Sequence, residues 1–263
     1  MNFEFQRHRV HDYLYLSKRW QNLARKAGLK RLLYCPAEDF ELFCYISPAL
    51  ESTNGIYLSA GIHGDEPATT EGLYQWAELH RSILREVPVM IFPCLNPWGL
   101  VHNRRTDSEN RDLNRCYHLE TVQRISAQKE LLRDRRFRLA MCLHEDYDAQ
   151  GVYLYEIRKK LTTFGRELLA AAGYYVPIDA RLTIEGRRAD QGWIARKINL
   201  KKFPELAEGI YLAFNHSDRT ITTETPSEYD LGPRIQAHIA MIQRAIELSF
   251  LKQQKNSEAA NTD

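Results

Sequence analysis

Three short apolar runs, Gly55–Ala60, Val87–Leu95 and Phe137–Leu143, constrain this chain most, because each stops abruptly at polar or turn-forming residues. Gly55–Ala60 has the character of a buried strand that delivers the chain to His63. From Pro67 the period changes: Leu73, Trp76, Ala77, Leu79 and Leu84 recur at roughly helical spacing. Pro67 falls in the first turn, where a helix tolerates proline. Val87–Leu95 is another strand, and Thr121–Arg136 a helix leading into the strand Phe137–Leu143. This order predicts an α/β strand-and-helix sandwich, a mixed, mostly parallel twisted sheet with helices on both faces.

The remaining elements fill in around that core. Arg31–Tyr34 and Glu41–Ser47 suggest a hairpin, with Pro36-Ala37-Glu38-Asp39 as its turn. Asn96-Pro97-Trp98-Gly99 is a strong turn signal. The polar stretch 103–117 lacks sustained periodicity and is expected to be a long loop, a length usually kept for function or disorder. Further on, Gly151–Ile157 is expected as a strand and Leu161–Ala172 as a helix. Gly209–Phe214 and Thr220–Thr223 are expected as short strands, and Leu231–Leu251 as a long amphipathic helix that closes the domain. The polar tail 252–263 should fray. With neither repeat nor linker in view, the 263 residues are expected to form a single domain.

Composition limits the context. A hydrophobic content of 44% fits neither a disordered nor a membrane chain, and no apolar stretch approaches a membrane span. A net charge of +2 is too small to argue for nucleic acid by itself. Arg133, Arg135, Arg136, Arg138 and Lys201-Lys202 alternate with acids or apolar residues without a stacking-aromatic pattern, so a solvated helix face explains them better. The N-terminus lacks the basic-then-apolar order of a signal peptide. Five cysteines (Cys35, Cys44, Cys94, Cys116, Cys142) without C-x-x-C spacing suggest reduced thiols in a cytoplasmic protein.

Chemistry gathers where the apolar runs end. His63 and Glu66, three residues apart with Gly61 and Gly64 loosening the backbone, can converge at the carboxyl edge of a sheet. A bland alternative is a capping histidine beside a first-turn glutamate that the helix dipole favours. His144 follows an apolar strand and precedes Glu145 and Asp146, which suits a metal ligand as well as a hydrogen-bonded core histidine. Two imidazoles and a carboxylate can hold zinc with one position open for water. Asp65, Asp112 and Asp146 are available to orient the imidazoles. Arg105, Asn114 and Arg115 lie in the long loop, where an arginine fork suits a carboxylate. They could equally be a solvated edge.

Taken in order, these residues resemble a known family. Asn96-Pro97-Trp98-Gly99, Arg105 and Asp112-Leu113-Asn114-Arg115 look like the N-P-x-G…R…D-x-N-R signature of the zinc metallocarboxypeptidases, and His63-Gly64-Asp65-Glu66 resembles their H-x-x-E motif. The resemblance implies a carboxypeptidase-like fold, a phosphorylase/hydrolase-like sandwich, and one zinc ion held by His63, Glu66 and His144. It implies Glu224 as the catalytic glutamate that takes a proton from the zinc-bound water and passes it to the leaving amine. Arg105 would stabilise the oxyanion, and Asn114 with Arg115 would hold the substrate's terminal carboxylate. Without the resemblance, Glu224 could be a solvent-facing strand residue.

Departures bear on substrate. Asp65 stands where some members carry an arginine, so an acidic group lines that position or buttresses a histidine. Tyr211 is the nearest candidate for the tyrosine that many digestive members fold over substrate, though strand packing explains it better. The short chain is more similar to compact bacterial members, some cleaving murein peptides, and to the related aspartoacylase and succinylglutamate desuccinylase enzymes. Asn96-Pro97-Trp98-Gly99 and the H-G-D-E form favour a carboxypeptidase acting on peptides with a free carboxylate. An N-acyl amino acid deacylase is the alternative.

Overall fold

Apolar strands set the architecture, and their ends set the site. The computed structural model describes residues 9–158, 163–196 and 205–260. In chain order the strands are β1 (Lys30–Ala37), β2 (Phe40–Ile46), β3 (Gly55–Ser59), β4 (Val89–Phe92), β5 (Phe137–Asp146), β6 (Tyr153–Arg158), β7 (Thr183–Ile184), β8 (Arg187–Arg188), β9 (Trp193–Ala195) and β10 (Arg219–Pro226). Eight of them form one sheet in the order β1-β2-β4-β3-β5-β10-β6-β9, and β7 and β8 pair separately. β3 pairs parallel with β4 and β5, β5 with β10, and β6 with β9. Within this sheet, antiparallel pairing is found at β1–β2, β2–β4 and β6–β10, and the separate β7–β8 pair is antiparallel too. The sheet is therefore mixed and mostly parallel, as the alternation of apolar runs and helices predicts.

Helices cover both faces: α1 (Tyr13–Ala27), α2 (Pro67–Leu79), α3 (Pro97–His102), α4 (Gln123–Leu132), α5 (Gly165–Ala172), α6 (Glu208–Asn215) and α7 (Leu231–Ala260). Strand alternation sorts the two cores. Leu139, Met141 and Leu143 of β5 join Ile56, Leu58, Val89 and Ile91 in a cluster with residues of α1, α2, α5 and α7. Ala140 and Cys142 join Tyr57, Met90 and Phe92 on the other face, with Ile125 of α4 and Leu212 of α6. Such strands, buried on both faces, read as continuous apolar runs rather than alternating ones.

Several boundaries differ from the sequence expectation, each for a local reason. The hairpin turn is narrower than Pro36–Asp39: Pro36 pairs with Glu41 and Ala37 with Phe40, and Glu38 takes a positive φ of 52°. Proline is tolerated there because β1 is an edge strand. Asn96-Pro97-Trp98-Gly99 is a helix start rather than a plain turn, with Asn96 capping α3 through a bond from the Gly99 N–H. The 103–117 loop contains one turn of 3-10 helix, Leu113–Arg115. Gly209–Phe214, expected as a strand, lies inside α6. Its Ile, Tyr and Phe favour strands, but Leu212 packs into the core from a helix, so tertiary packing overrides propensity.

β5 continues through His144 to Asp146 instead of ending at Leu143. Residues 161–162 of the expected helix lie outside the described residues, as do Lys201-Lys202, and α5 is seen from Gly165. α7 continues through Ala260. Arg133 pairs with Glu130, Arg136 with Asp218, and Arg138 donates to the Asn54 carbonyl, so these arginines have local partners. All five cysteines are free and buried. Among the described residues, no helix is long and apolar enough to cross a membrane.

Candidate active site

The site assembles where β3, β5 and β10 deliver their carboxyl ends, the edge at which open α/β sheets gather ligands. After β3 the chain turns at Gly61, whose φ of 63° lies in the left-handed region. An added Cβ on Gly64 would stand 1.8 Å from the Gly99 carbonyl carbon. The H-G-D-E and N-P-W-G segments are thus packed backbone to backbone, and only glycine allows it. The Gly64 N–H also donates to the Arg104 carbonyl at 2.9 Å, which ties the Arg105 loop to His63. Asn96 adds a second tie through a bond from its amide to the Thr106 carbonyl.

His63, Glu66 and His144 converge as the sequence predicts, each with one potential ligand atom within 4.8 Å of the others, and all three are buried. His63 Nδ1 lies 2.6 Å from Glu66 Oε1, and His144 Nδ1 lies 3.2 Å from His63 Nδ1 and 3.1 Å from Glu66 Oε2. A tetrahedral ion with bonds of about 2.0–2.1 Å spaces its ligand atoms by roughly 3.4 Å, so the cluster has the size of a zinc site. Glu66 Oε2 is buried and lacks a hydrogen bond of good geometry although His144 Nδ1 stands 3.1 Å away, which leaves a lone pair for a cation. Nitrogen, nitrogen and carboxylate donors suit that metal. The residues present fit the ion that the resemblance implies.

Electrostatics agree with a cation-seeking pocket. Burial opposes charge on His63, yet Glu66 and Asp112 raise its pKa to about 9. Burial opposes ionisation of Glu66, but His63 and His144 hold its pKa well below the usual carboxylate range. Asp112 Oδ1 meets His63 Nε2 at 3.1 Å and so orients the ring. Of the other aspartates expected nearby, Asp65 is exposed and Asp146 accepts from Tyr153.

The remaining predicted residues share one cavity of about 450 Å³ with the cluster. Arg105 donates from Nε to Asp112 Oδ2 at 3.1 Å, and its Nη1 stands 3.8 Å from Glu66. Asn114 Oδ1 accepts from the Glu208 backbone N–H at 2.9 Å, which leaves its amide N–H₂ for a ligand. Arg115 is exposed at the rim, 4.0 Å from Glu205. Glu224 sits on β10 directly opposite His144 of β5. Burial pushes its pKa well above the ordinary value, His144 partly offsets this, and Glu66, Asp146 and Glu185 push it further.

Tyr211 is absent from the cavity wall; it lies on α6 and packs against Tyr117 and His216. The tyrosines that do line it, Tyr153 and Tyr155 on β6, escaped the sequence reading, as did Glu185, Arg187 and Arg196. Glu185 and Gly186 both take positive φ at the tip of the β7–β8 hairpin, and the Glu185 carboxylate accepts from Tyr155. A two-residue turn ending in glycine between Thr183-Ile184 and Arg187-Arg188 was the available signal.

A buried His-Glu-His cluster that could hold a metal ion, a loop arginine and a strand glutamate thus surround one cleft on this α/β sheet. Residues 52–150 match the family model of the succinylglutamate desuccinylase/aspartoacylase catalytic domain. The fold is shared with a candidate metallopeptidase from Shewanella baltica OS155 at 20% identity, covering 91% of this chain and 93% of that one, with a TM-score of 0.81. It is shared equally with one from Shewanella denitrificans OS217 at 22% identity, covering 91% of both, with a TM-score of 0.81. A metallo-carboxypeptidase from Burkholderia cenocepacia is more distant: 14% identity, 88% of this chain, 67% of that one, TM-score 0.63. No curated protein matches the chain in sequence. Part of the chain thus resembles the succinylglutamate desuccinylase/aspartoacylase catalytic domain, and the fold is that of the carboxypeptidase-like neighbours.

Proposed function

We propose that the protein is a single-domain zinc metallocarboxypeptidase of the cytoplasm that hydrolyses the amide bond next to a substrate's terminal carboxylate. One observation carries this reading: His63, Glu66, His144, Arg105 and Glu224 border the same cavity as Asn114 and Arg115. His63, Glu66 and His144 would hold one zinc ion, which when bound supplies Lewis-acid activation of water and of the scissile carbonyl. Glu224 takes the proton of the attacking water and passes it to the leaving amine; its raised pKa suits a group that must accept a proton and return it. Arg105 donates to the oxygen on which negative charge develops. The Asn114 amide and the Arg115 guanidinium hold the terminal carboxylate, which confines cleavage to chain ends.

A second reading, an N-acyl amino acid deacylase, is favoured by the family match over 52–150, which spans every proposed site residue except Glu224. Both readings use the same residues. The deciding experiment offers zinc-loaded protein two panels: peptides with free C-termini, murein-type peptides included, and N-acyl amino acids. Chelator-sensitive release of a terminal residue supports the peptidase. Release of only the acyl group moves the protein to the deacylase branch, and silence toward both panels overturns both readings.

A further inference from the structure

Behind the metal cluster, on the opposite face of the sheet, lies a second polar cluster built around Glu145. Successive β5 side chains alternate, so His144 faces the cleft while Glu145 joins the face of Leu139, Met141 and Leu143, under α2 and α7. Glu145 is only 4% exposed. Its Oε2 accepts from the Ala68 N–H at 2.9 Å, and its Oε1 accepts from Thr225 Oγ1 at 3.1 Å and from the Arg234 guanidinium of α7. Both oxygens are taken up by protein donors. His238, one helical turn beyond Arg234, approaches Thr225 Oγ1 at 3.1 Å and Thr223 Oγ1 at 3.5 Å.

The positions of these partners in the chain are informative. Ala68 lies two residues after Glu66, Glu145 follows His144, and Thr225 follows Glu224. One carboxylate therefore ties together the helix start, the strand and the neighbouring strand that carry two metal ligands and the proposed base. Stability alone gives little reason for it, since a buried ion pair is often matched or exceeded by apolar residues of the same volume. What such a group contributes is a fixed arrangement of the segments it joins.

We propose that Glu145 is a positioning residue, which registers the segments bearing Glu66, His144 and Glu224 against one another and so sets the geometry of the metal site. This inference rests on the metal-dependent reading above. Glu145 is among the residues bordering the cavity, but its carboxylate is taken up by Ala68, Thr225 and Arg234, and Thr225 and Arg234 have supporting parts.

The test compares zinc affinity, by competition with a chromophoric chelator, in the full wild-type chain, Glu145→Gln, Thr225→Val and Thr225→Ser, with thermal stability, kcat and KM measured beside it. Thr225→Val keeps the side-chain shape and removes the hydroxyl that meets Glu145 and His238, so it remains informative if Glu145→Gln fails to fold. The expected result is a loss of about 10–100-fold in zinc affinity for both Glu145→Gln and Thr225→Val, the range seen when groups behind metal ligands are altered. At saturating zinc kcat should fall more than KM changes, and Thr225→Ser should restore both. Variants that bind zinc as tightly and turn over as fast as the wild type, whatever their melting temperature, overturn the inference. A wild-type chain that binds no zinc overturns instead the metal reading on which it rests.

Discussion

His144 and Glu224 occupy directly paired positions on the adjacent parallel strands β5 and β10. Because strand side chains alternate, this register puts the second imidazole and the proposed base on the same face of the sheet, and a shift of one residue would send one of them into the core behind. On that opposite face the next pair, Glu145 and Thr225, is joined by a hydrogen bond of 3.1 Å.

Replacing Glu224 by Gln keeps the shape of the side chain and removes its ability to take a proton. Zinc binding should persist while kcat falls by about 10²–10⁴, the usual contribution of a positioned acid–base group. Zinc content and steady-state kinetics check this together, and near wild-type turnover would show that another group is the base.

Arg115→Ala should act on substrate binding. Losing a charge-assisted bond to a carboxylate, about 1.5–3 kcal/mol, raises KM by roughly 10–100-fold with little change in kcat. A substrate whose terminal carboxylate is amidated should show the same penalty with the wild type, and the two penalties should not add. An unchanged KM would remove Arg115 from the clamp.

Gly64→Ala drives a methyl group to within 1.8 Å of the Gly99 backbone. Since backbone must move to relieve it, the cost should reach or exceed about 1–3 kcal/mol, the range typical of overpacking. Chemical denaturation measures it; a variant as stable as the wild type would mean that the two segments are not in contact.

His238 supplies a pH dependence. Burial and the neighbouring Arg234 push its pKa down to about 3, against about 6.5 in an unfolded chain. Between these values the unfolded chain binds a proton that the folded chain refuses. This contribution to stability is therefore complete above pH 6.5 and is lost as pH falls toward 3, by at most about 1.4 kcal/mol per pH unit. Denaturation at neutral and mildly acidic pH should show a steeper acid loss for the wild type than for His238→Gln. The difference isolates His238 from opposing groups such as Glu145, whose pKa burial raises to about 7. Parallel slopes would exclude it.

Much of this site is legible in sequence because buried strands announce themselves. An apolar run that ends at His144-Glu145-Asp146 can hardly be solvated, and H-G-D-E after another such run marks a strand-to-helix junction. The long loop with Arg105, Asn114 and Arg115 is legible as a loop, since it lacks any period. Other features depend on pairing over long range. Tyr153 and Tyr155 reach the cavity only because β6 lies antiparallel beside β10, which no local pattern states. Helix α6 was obscured by Ile210, Tyr211, Leu212 and Phe214, whose propensities suit a strand. Helix α1 carries its boundaries in the sequence, Asp12 at its start and Gly28 just past its end.

The central claim is that His63, Glu66 and His144 together bind one zinc ion. The most direct test is the zinc content and affinity of the chelator-stripped, reloaded wild type beside His144→Ala. One tightly held zinc per wild-type chain, with affinity lost in the variant while the fold is retained, is the predicted result. Equal zinc binding by His144→Ala, or none by the wild type, would contradict it.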